Sequence, residues 1–199
     1  MKNIFLIFIS WICFLGFPQK KSNFQPELNV FFNVEKGVGN NHLNKAHNFG
    51  RGLGVEFYIF NFSKFKLGTG MQYNYFGVND ASFIGNYSST RFMEYYLLIS
   101  YDQKILNKFS IEPCIQFGKS YLKQIADNRI YNTNSYGSQP NINFGLNINY
   151  SLSNKTVVFI RPIFVSRNFD MNTIAEYQDF FNENRTIVLN FGIKFLFHK

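Results

Sequence analysis

Hydrophobic residues occupy every second position near the end of the chain: Ile187, Leu189, Phe191, Ile193, Phe195 and Phe197. Between them lie Val188, Asn190, Gly192, Lys194 and Leu196, a smaller and more polar set. Alternation this long defines a strand with two unlike faces. Read together with turn residues, it predicts eight strands, over 26–36, 47–60, 65–77, 90–102, 109–122, 140–152, 156–168 and 184–198. Each is long enough for a tilted membrane-crossing strand of about 9–11 residues. The intervals 37–46, 78–89, 123–139 and 169–183 are long, and 61–64, 103–108 and 153–155 are short, in strict alternation. An antiparallel meander puts alternate connections at opposite ends, so one end carries bulky loops and the other tight turns. The pattern predicts an all-β chain: an eight-stranded antiparallel up-and-down transmembrane β-barrel of outer-membrane type. Both mature termini would then be periplasmic.

Parity assigns the faces. Leu28, Val30, Phe32 and Val34 point to lipid in the first strand, and Leu53, Val55, Phe57 and Ile59 in the second. The inner face collects Gly50, Gly52, Gly54, Gly68, Gly70, Gln72, Asn74, Asn143, Gly145, Asn147 and Asn149. Phe60, Phe76, Phe92, Tyr96 and Leu98 also point inward and fill volume. The strand 156–168 is apolar on both faces, and its orientation is set by turning Arg161 and Arg167 inward. Pro113 and Pro162 each remove a ladder hydrogen bond, so a bulge or local break is expected at both.

Composition agrees with this reading. Aromatic residues make up 20% of the chain, with 26 Phe and 12 Tyr, yet mean hydropathy is near zero. A barrel has that balance, because only its outer face must be apolar. Beyond residue 22 no apolar run is long enough for a membrane helix. The start differs: a basic Met1-Lys2-Asn3 precedes an apolar run from Ile4 to Phe17, which reads as a signal peptide over residues 1–19. The barrel domain is then 20–199. Cys114 would be the only cysteine left after processing, so no internal disulfide is possible. His42, His47 and His198 share no ligand-like spacing, and no metal or cofactor is expected. The net charge of +8 could suit nucleic acid, but an exported chain meets phosphorylated lipid instead.

Two groups of charged residues follow from parity. Glu35, Glu56, Glu94 and Glu112 face inward with Lys66, Arg161, Arg167 and Lys194. An eight-stranded barrel has an interior just wide enough for its own side chains, and buried charges there must be paired. A rigid salt-bridged plug follows; the sharper alternative is a path for protons or small ions. On lipid-facing parity, at the loop-bearing strand ends, stand Lys36, Arg51, Arg91, Lys119 and Arg185. These cations could contact lipopolysaccharide phosphates, or snorkel into water without a specific partner.

Catalysis finds little support. A lipid-A deacylase would need a Ser with a nearby His and an acid, and His42, His47, Ser82, Ser88 and Ser89 lie at the correct end. No His-x-Ser strand motif is present, however. Gly50-Arg51-Gly52-Leu53-Gly54 opens a strand and no helix, so it is not a phosphate loop. Phe83, Tyr87, Tyr131, Tyr136, Tyr177, Phe180 and Phe181 sit in the long loops, where they can pack on one another over the barrel mouth or dock a partner.

Four stretches carry a family resemblance. Arg91-Phe92-Met93-Glu94-Tyr95-Tyr96-Leu97-Leu98-Ile99-Ser100-Tyr101 is similar to the Leu-Glu-Ile-Pro-Leu strand of PorT-like barrels, with Tyr95-Tyr96 where that family has Ile-Pro. Ile111-Glu112-Pro113-Cys114-Ile115-Gln116-Phe117-Gly118 is similar to its Pro-Tyr-Ile-x-x-Gly strand. Phe144-Gly145-Leu146 and Asn190-Phe191-Gly192-Ile193 are similar to its later glycine strands. The chain thus resembles the PorT-like branch of the OmpA-like eight-stranded barrels from about residue 26 onward. The resemblance implies fold and outer-membrane location, with a link to protein secretion through founding members.

The expected role is structural or interactive: loop display, or an accessory subunit of an envelope or secretion complex. The interior would be closed, without a wide pore, and the partners would be outer-membrane lipid, lipopolysaccharide and other envelope proteins. Two rivals are a lipid-A-modifying enzyme and a soluble ligand-binding barrel.

Overall fold

A computed structural model describes residues 25–126 and 134–197. The predicted signal peptide, Tyr131 and His198 lie outside the described residues. Ten strands form one sheet: β1 (Glu27–Gly37), β2 (Gly50–Phe62), β3 (Phe65–Gly77), β4 (Tyr87–Tyr101), β5 (Gln103–Lys104), β6 (Phe109–Ala126), β7 (Asn134–Gly137), β8 (Asn141–Ser151), β9 (Thr156–Asn168) and β10 (Glu183–Leu196). All pairings are antiparallel, running β4-β3-β2-β1-β10-β9-β8-β6, and a β4–β6 pairing closes the ring. The eight long strands are the barrel staves, as the alternation predicts. The short β5 and β7, absent from the sequence reading, extend the ladder of β6 at its two ends.

Two short helices, α1 (His42–Ala46) and α2 (Gln178–Asn182), lie in the long connections. Asn41 caps α1, its side chain accepting from the Asn44 amide at 3.0 Å. The tightest turn between neighbouring long strands is Ser63-Lys64, between Phe62 and Phe65, with Ser63 at φ 59°.

Lipid-facing parity holds along the staves. Leu53 is 66% exposed and Leu97 60%, and Phe144, Ile187 and Ile148 are exposed elsewhere on the outer wall. Apolar surface on this scale is unfavourable in water, whereas hydrocarbon covers it. Paired rings edge the tight-turn end: Phe65 with Tyr101, and Phe109 with Tyr150, each at 4.9 Å between centroids. Arg91 and Tyr101 bound the apolar stretch of β4, about 25 Å of barrel height at usual strand rise and tilt. Among the described residues, no helix is long and apolar enough to cross a membrane.

One face assignment is corrected. Phe60 was expected inside, but it is 39% exposed on the outer wall. The β2–β3 register shifts between Tyr58 and Phe60, leaving Ile59 without a partner. This bulge adds one residue to β2, so parity inverts beyond it and Asn61 turns inward instead.

The prolines interrupt the ladder without shifting it. The β4–β6 pairing stops at Ser100–Cys114 and resumes through β5 at Gln103–Ile111, skipping Pro113. Between β8 and β9 the pairing skips from Gly145–Ile163 to Ile148–Ile160, around Pro162. Arg161 and Arg167 of β9 point inward and are fully buried.

Inner glycines are set by neighbouring rings. A Cβ on Gly54 would lie 2.2 Å from Cζ of Phe31, and one on Gly192 2.6 Å from Cζ of Phe159. Each aromatic ring lies over the glycine directly opposite it on the adjacent strand, which carries no side chain there.

Candidate functional site

The lumen is filled by three layers of ion pairs. Beneath the long connections, Arg167 from β9 reaches Glu35 of β1 through Nη1 and Glu94 of β4 through Nε, both at 2.5 Å. Thr186 donates to Glu35 at 2.6 Å and Ser120 to Glu94 at 2.5 Å, with Asn74 and Gln72 adding amide donors. At mid-height, Arg161 holds Glu56 by two parallel bonds, and the Tyr96 hydroxyl donates to Glu56 at 2.8 Å. The guanidinium lies against both Phe31 and Phe159, 5.3 and 5.4 Å from their centroids, while the two rings meet each other edge-on at 6.4 Å. With the Asn190 amide turned oxygen-inward, it also accepts from Arg161 Nε at 3.3 Å.

The third layer is at the tight-turn end. Lys194 bonds Glu112 at 2.5 Å, while Lys66 bonds Glu27 at 3.0 Å and lies 3.3 Å from Asp102. Tyr58 and Ser100 both donate to Glu112. All eight charged residues assigned to the interior are thus buried and paired. The expected balance of four acids and four bases is corrected: Glu27 and Asp102 join the acids. Glu27 shares parity with Glu35, so the signal was in the alternation. Asp102 closes the predicted strand 90–102 on the same inward parity as Glu94, so its signal was in the alternation too.

The two ends differ. A polar vestibule of about 700 Å³ opens at the tight-turn end, with Glu27, Lys66, Asp102 and Lys194 in its walls. The other mouth is stoppered by Leu43 of α1, Phe76, Phe92, Leu122, Phe169 and Met171, with Tyr136 and Phe181 packed against them. Phe83 and Phe180 meet at 6.2 Å, and Phe180 and Phe181 at 5.1 Å. The loop aromatics therefore pack largely on one another, although Tyr177 is 49% exposed.

His42 and His47, dismissed on spacing, come together inside this cap at 5.9 Å between rings, both buried. Helix α1 turns the chain so that they meet. His42 stacks on Phe181, and Nε2 of His47 lies 2.8 Å from the Thr90 hydroxyl. Burial, then the neighbouring His47, drives His42 down to about 3; burial lowers His47 to about 4, and Lys36 acts in the same sense. Both rings are neutral at pH 7. Among the described residues, no cluster of three or more His, Cys, Asp or Glu could hold a metal.

The rim cations do not form one even ring. Arg185 is paired with Glu183 at 3.0 Å. Lys36 lies over Phe49, 5.5 Å from its centroid, on the far side of the mouth from the β4–β6 wall. On that wall Arg91 stands directly opposite Lys123, a residue the sequence reading left out, and Lys119 opposite Tyr95. Arg51 faces Tyr75, which in turn faces Arg91.

No family model matches the sequence, and no curated protein is similar to it. Solved structures are. The outer membrane protein OprG of Pseudomonas aeruginosa superposes with a TM-score of 0.59 at 12% identity, over 88% of this chain and 97% of that one. The fold is that of the small outer-membrane barrels. Neisserial surface protein A covers 87% of this chain and 97% of its own, with TM-score 0.56 and 10% identity. Ail of Yersinia pestis, in complex with the heparin analogue sucrose octasulfate, gives the same score and identity over 88% and 99%. At these identities the likeness is one of fold.

Proposed function

We propose that this chain is a bacterial outer-membrane barrel with a structural or interaction role, its long connections and loop cap facing outward and its termini and vestibule facing the periplasm. The closed lumen carries this reading. Among the described residues, three ion-pair layers and an aromatic stopper fill the lumen against solute, and a buried pair costs about 3–5 kcal/mol to break one-sidedly. Such an interior suits a rigid post that presents loops, or an accessory subunit of an envelope or secretion complex as the PorT-like stretches suggest. Surface cations at the rim would meet lipopolysaccharide headgroups there.

A lipid-A-modifying enzyme is the weaker reading. Both cap histidines are enclosed, His47 is engaged by Thr90, and Ser82 is held by Asp80 at 2.6 Å. Neither histidine is offered to a lipid.

Three measurements test the proposal. Purified chain in planar bilayers should give no stable conductance steps. In intact cells, labelling at Asn154 should occur only after the outer membrane is permeabilised. Lipid A incubated with the protein should keep its acyl chains. Steady conductance, labelling of Asn154 from outside, or deacylation each defeats a part of it. Affinity purification from membranes would then identify the envelope partner.

A further inference from the structure

The β4–β6 wall differs from the rest of the rim. Down its outer face, cross-strand pairs run Arg91–Lys123, Met93–Tyr121, Tyr95–Lys119, Leu97–Phe117 and Ile99–Ile115. The top row sets two like charges directly opposite each other, an arrangement that costs stability unless an anion sits between them. Among the described residues, no carboxylate pairs with Arg91, Lys119 or Lys123. Arg91 is braced over the ring of Tyr75 at 5.9 Å, and Lys119 over Tyr121 at 5.8 Å.

Two clefts lie on the same wall. The upper, about 420 Å³, has Arg91 and Lys123 at its edge, Tyr73, Met93 and Tyr121 in its walls, and Ser135 of β7 beside Lys123. The lower, about 630 Å³, is walled by Tyr95, Leu97, Phe117, Ile142 and Pro140, with Lys119 at its margin. They exist because β6 changes partner here, from β8 up to Gly118 to β7 from Tyr121. Gly137 leaves the space beside Lys119 open, since even a Cβ there would come no closer than 3.7 Å to the lysine.

We propose that this wall is a single-lipid site, in which Arg91 and Lys123 clamp a phosphate of a phosphorylated, acylated glycolipid of lipid A type and the cleft below takes an acyl chain. Cations at two heights suit a ligand with more than one anionic group, and Arg supplies the bidentate geometry a phosphate accepts. The cleft beneath supplies an apolar wall continuous with the hydrocarbon belt. This rests on the outward orientation proposed above, and it narrows the five-cation rim to one face.

The experiment uses the folded, purified full-length barrel in detergent, with bound lipid counted by native mass spectrometry. Probes are diphosphorylated lipid A, its dephosphorylated form, phosphatidylglycerol and inorganic phosphate. Arg91→Gln/Lys123→Gln is compared with Arg51→Gln/Arg185→Gln, which removes the same charge elsewhere on the rim. Heat-modifiable migration on gels verifies that both fold. The expected result is one lipid A retained by the unsubstituted chain, binding at least about tenfold weaker for the β4–β6 variant, and near-unchanged binding for the other. The dephosphorylated form should bind weakly, and inorganic phosphate should not displace lipid A. Equal losses in both variants overturn the site while leaving a diffuse headgroup rim standing. Phosphatidylglycerol bound as tightly, with the same sensitivity, overturns the glycolipid assignment. An unsubstituted chain that retains no lipid A overturns the rim reading as well.

Discussion

Arg161 and Glu56, 105 residues apart in sequence, meet at the barrel's centre through two parallel bonds of 3.0 and 2.5 Å. Both side chains are fully buried. Their strands, β9 and β2, are separated in the sheet by β10 and β1, so the pair braces the lumen across its width. Glu56→Ala leaves the guanidinium unpaired against Phe31 and Phe159, and should destabilise the barrel by about 3–5 kcal/mol. The joint replacement Glu56→Leu/Arg161→Met should cost markedly less, since no charge is then stranded. Urea unfolding in vesicles, followed by gel migration, measures both. A double variant as unstable as Glu56→Ala would argue that packing shape, and not charge, sets the loss.

The ring-over-glycine arrangement predicts a sharp positional contrast. Gly54→Val drives two methyl groups into the Phe31 ring and should prevent folding or cost several kcal/mol, because the ring has no free rotamer in a filled lumen. Gly137→Ala meets nothing closer than 3.7 Å and should be neutral within about 0.5 kcal/mol. Yields of heat-modifiable barrel from identical refolding reactions separate the two. Normal folding of Gly54→Val would mean that the Phe31 ring does not lie over residue 54.

Cap stability should depend on acidity. The folded values of His42 and His47 lie below the ordinary 6.5, so the opened cap binds protons that the closed one excludes. Stabilisation by the neutral rings is complete above about pH 6.5 and is lost as pH falls toward 4, at up to about 1.4 kcal/mol per unit for each ring. Lys36 is the charged group that opposes protonation of His47. Hydrogen exchange of amides in 42–47, corrected for intrinsic rates, should therefore show easier opening at pH 5 than at pH 7.5. His42→Leu should roughly halve that slope, and a slope unaffected by either histidine would show that the rings are already solvated.

How much of this could be read beforehand depends on what kind of signal each feature leaves. Strand number and the lipid face of Leu97 follow from period-2 alternation, which survives wherever pairing is regular; the inward turn of Arg161, in a strand apolar on both faces, rests instead on the cost of a charge facing lipid. Phe60 escaped because a bulge adds a residue without altering the local pattern of apolar side chains. Glu27 carried the right parity and was simply passed over at a strand start. The His42–His47 pair was illegible for another reason: α1 is only five residues long, and its docking comes from Leu43 and Ala46 entering the cap, a tertiary effect with no period. Lys123 was assigned to a loop because β6 runs on to Ala126 beside the unforeseen β7. The opposition that makes Arg91 and Lys123 interesting needs a register, and a register needs coordinates.

With a stopper at one mouth and an open base at the other, the barrel is shaped like a flask. Solvent entering from the base reaches Lys66 and Lys194 first and must pass Arg161 before it meets Arg167. Isotope exchange along a single strand such as β10 should accordingly advance as a front, early near Lys194 and last near Thr186. Loops outside the stopper can vary freely in sequence without wetting that front, whereas loss of Leu43 or Phe92 would admit solvent from both sides.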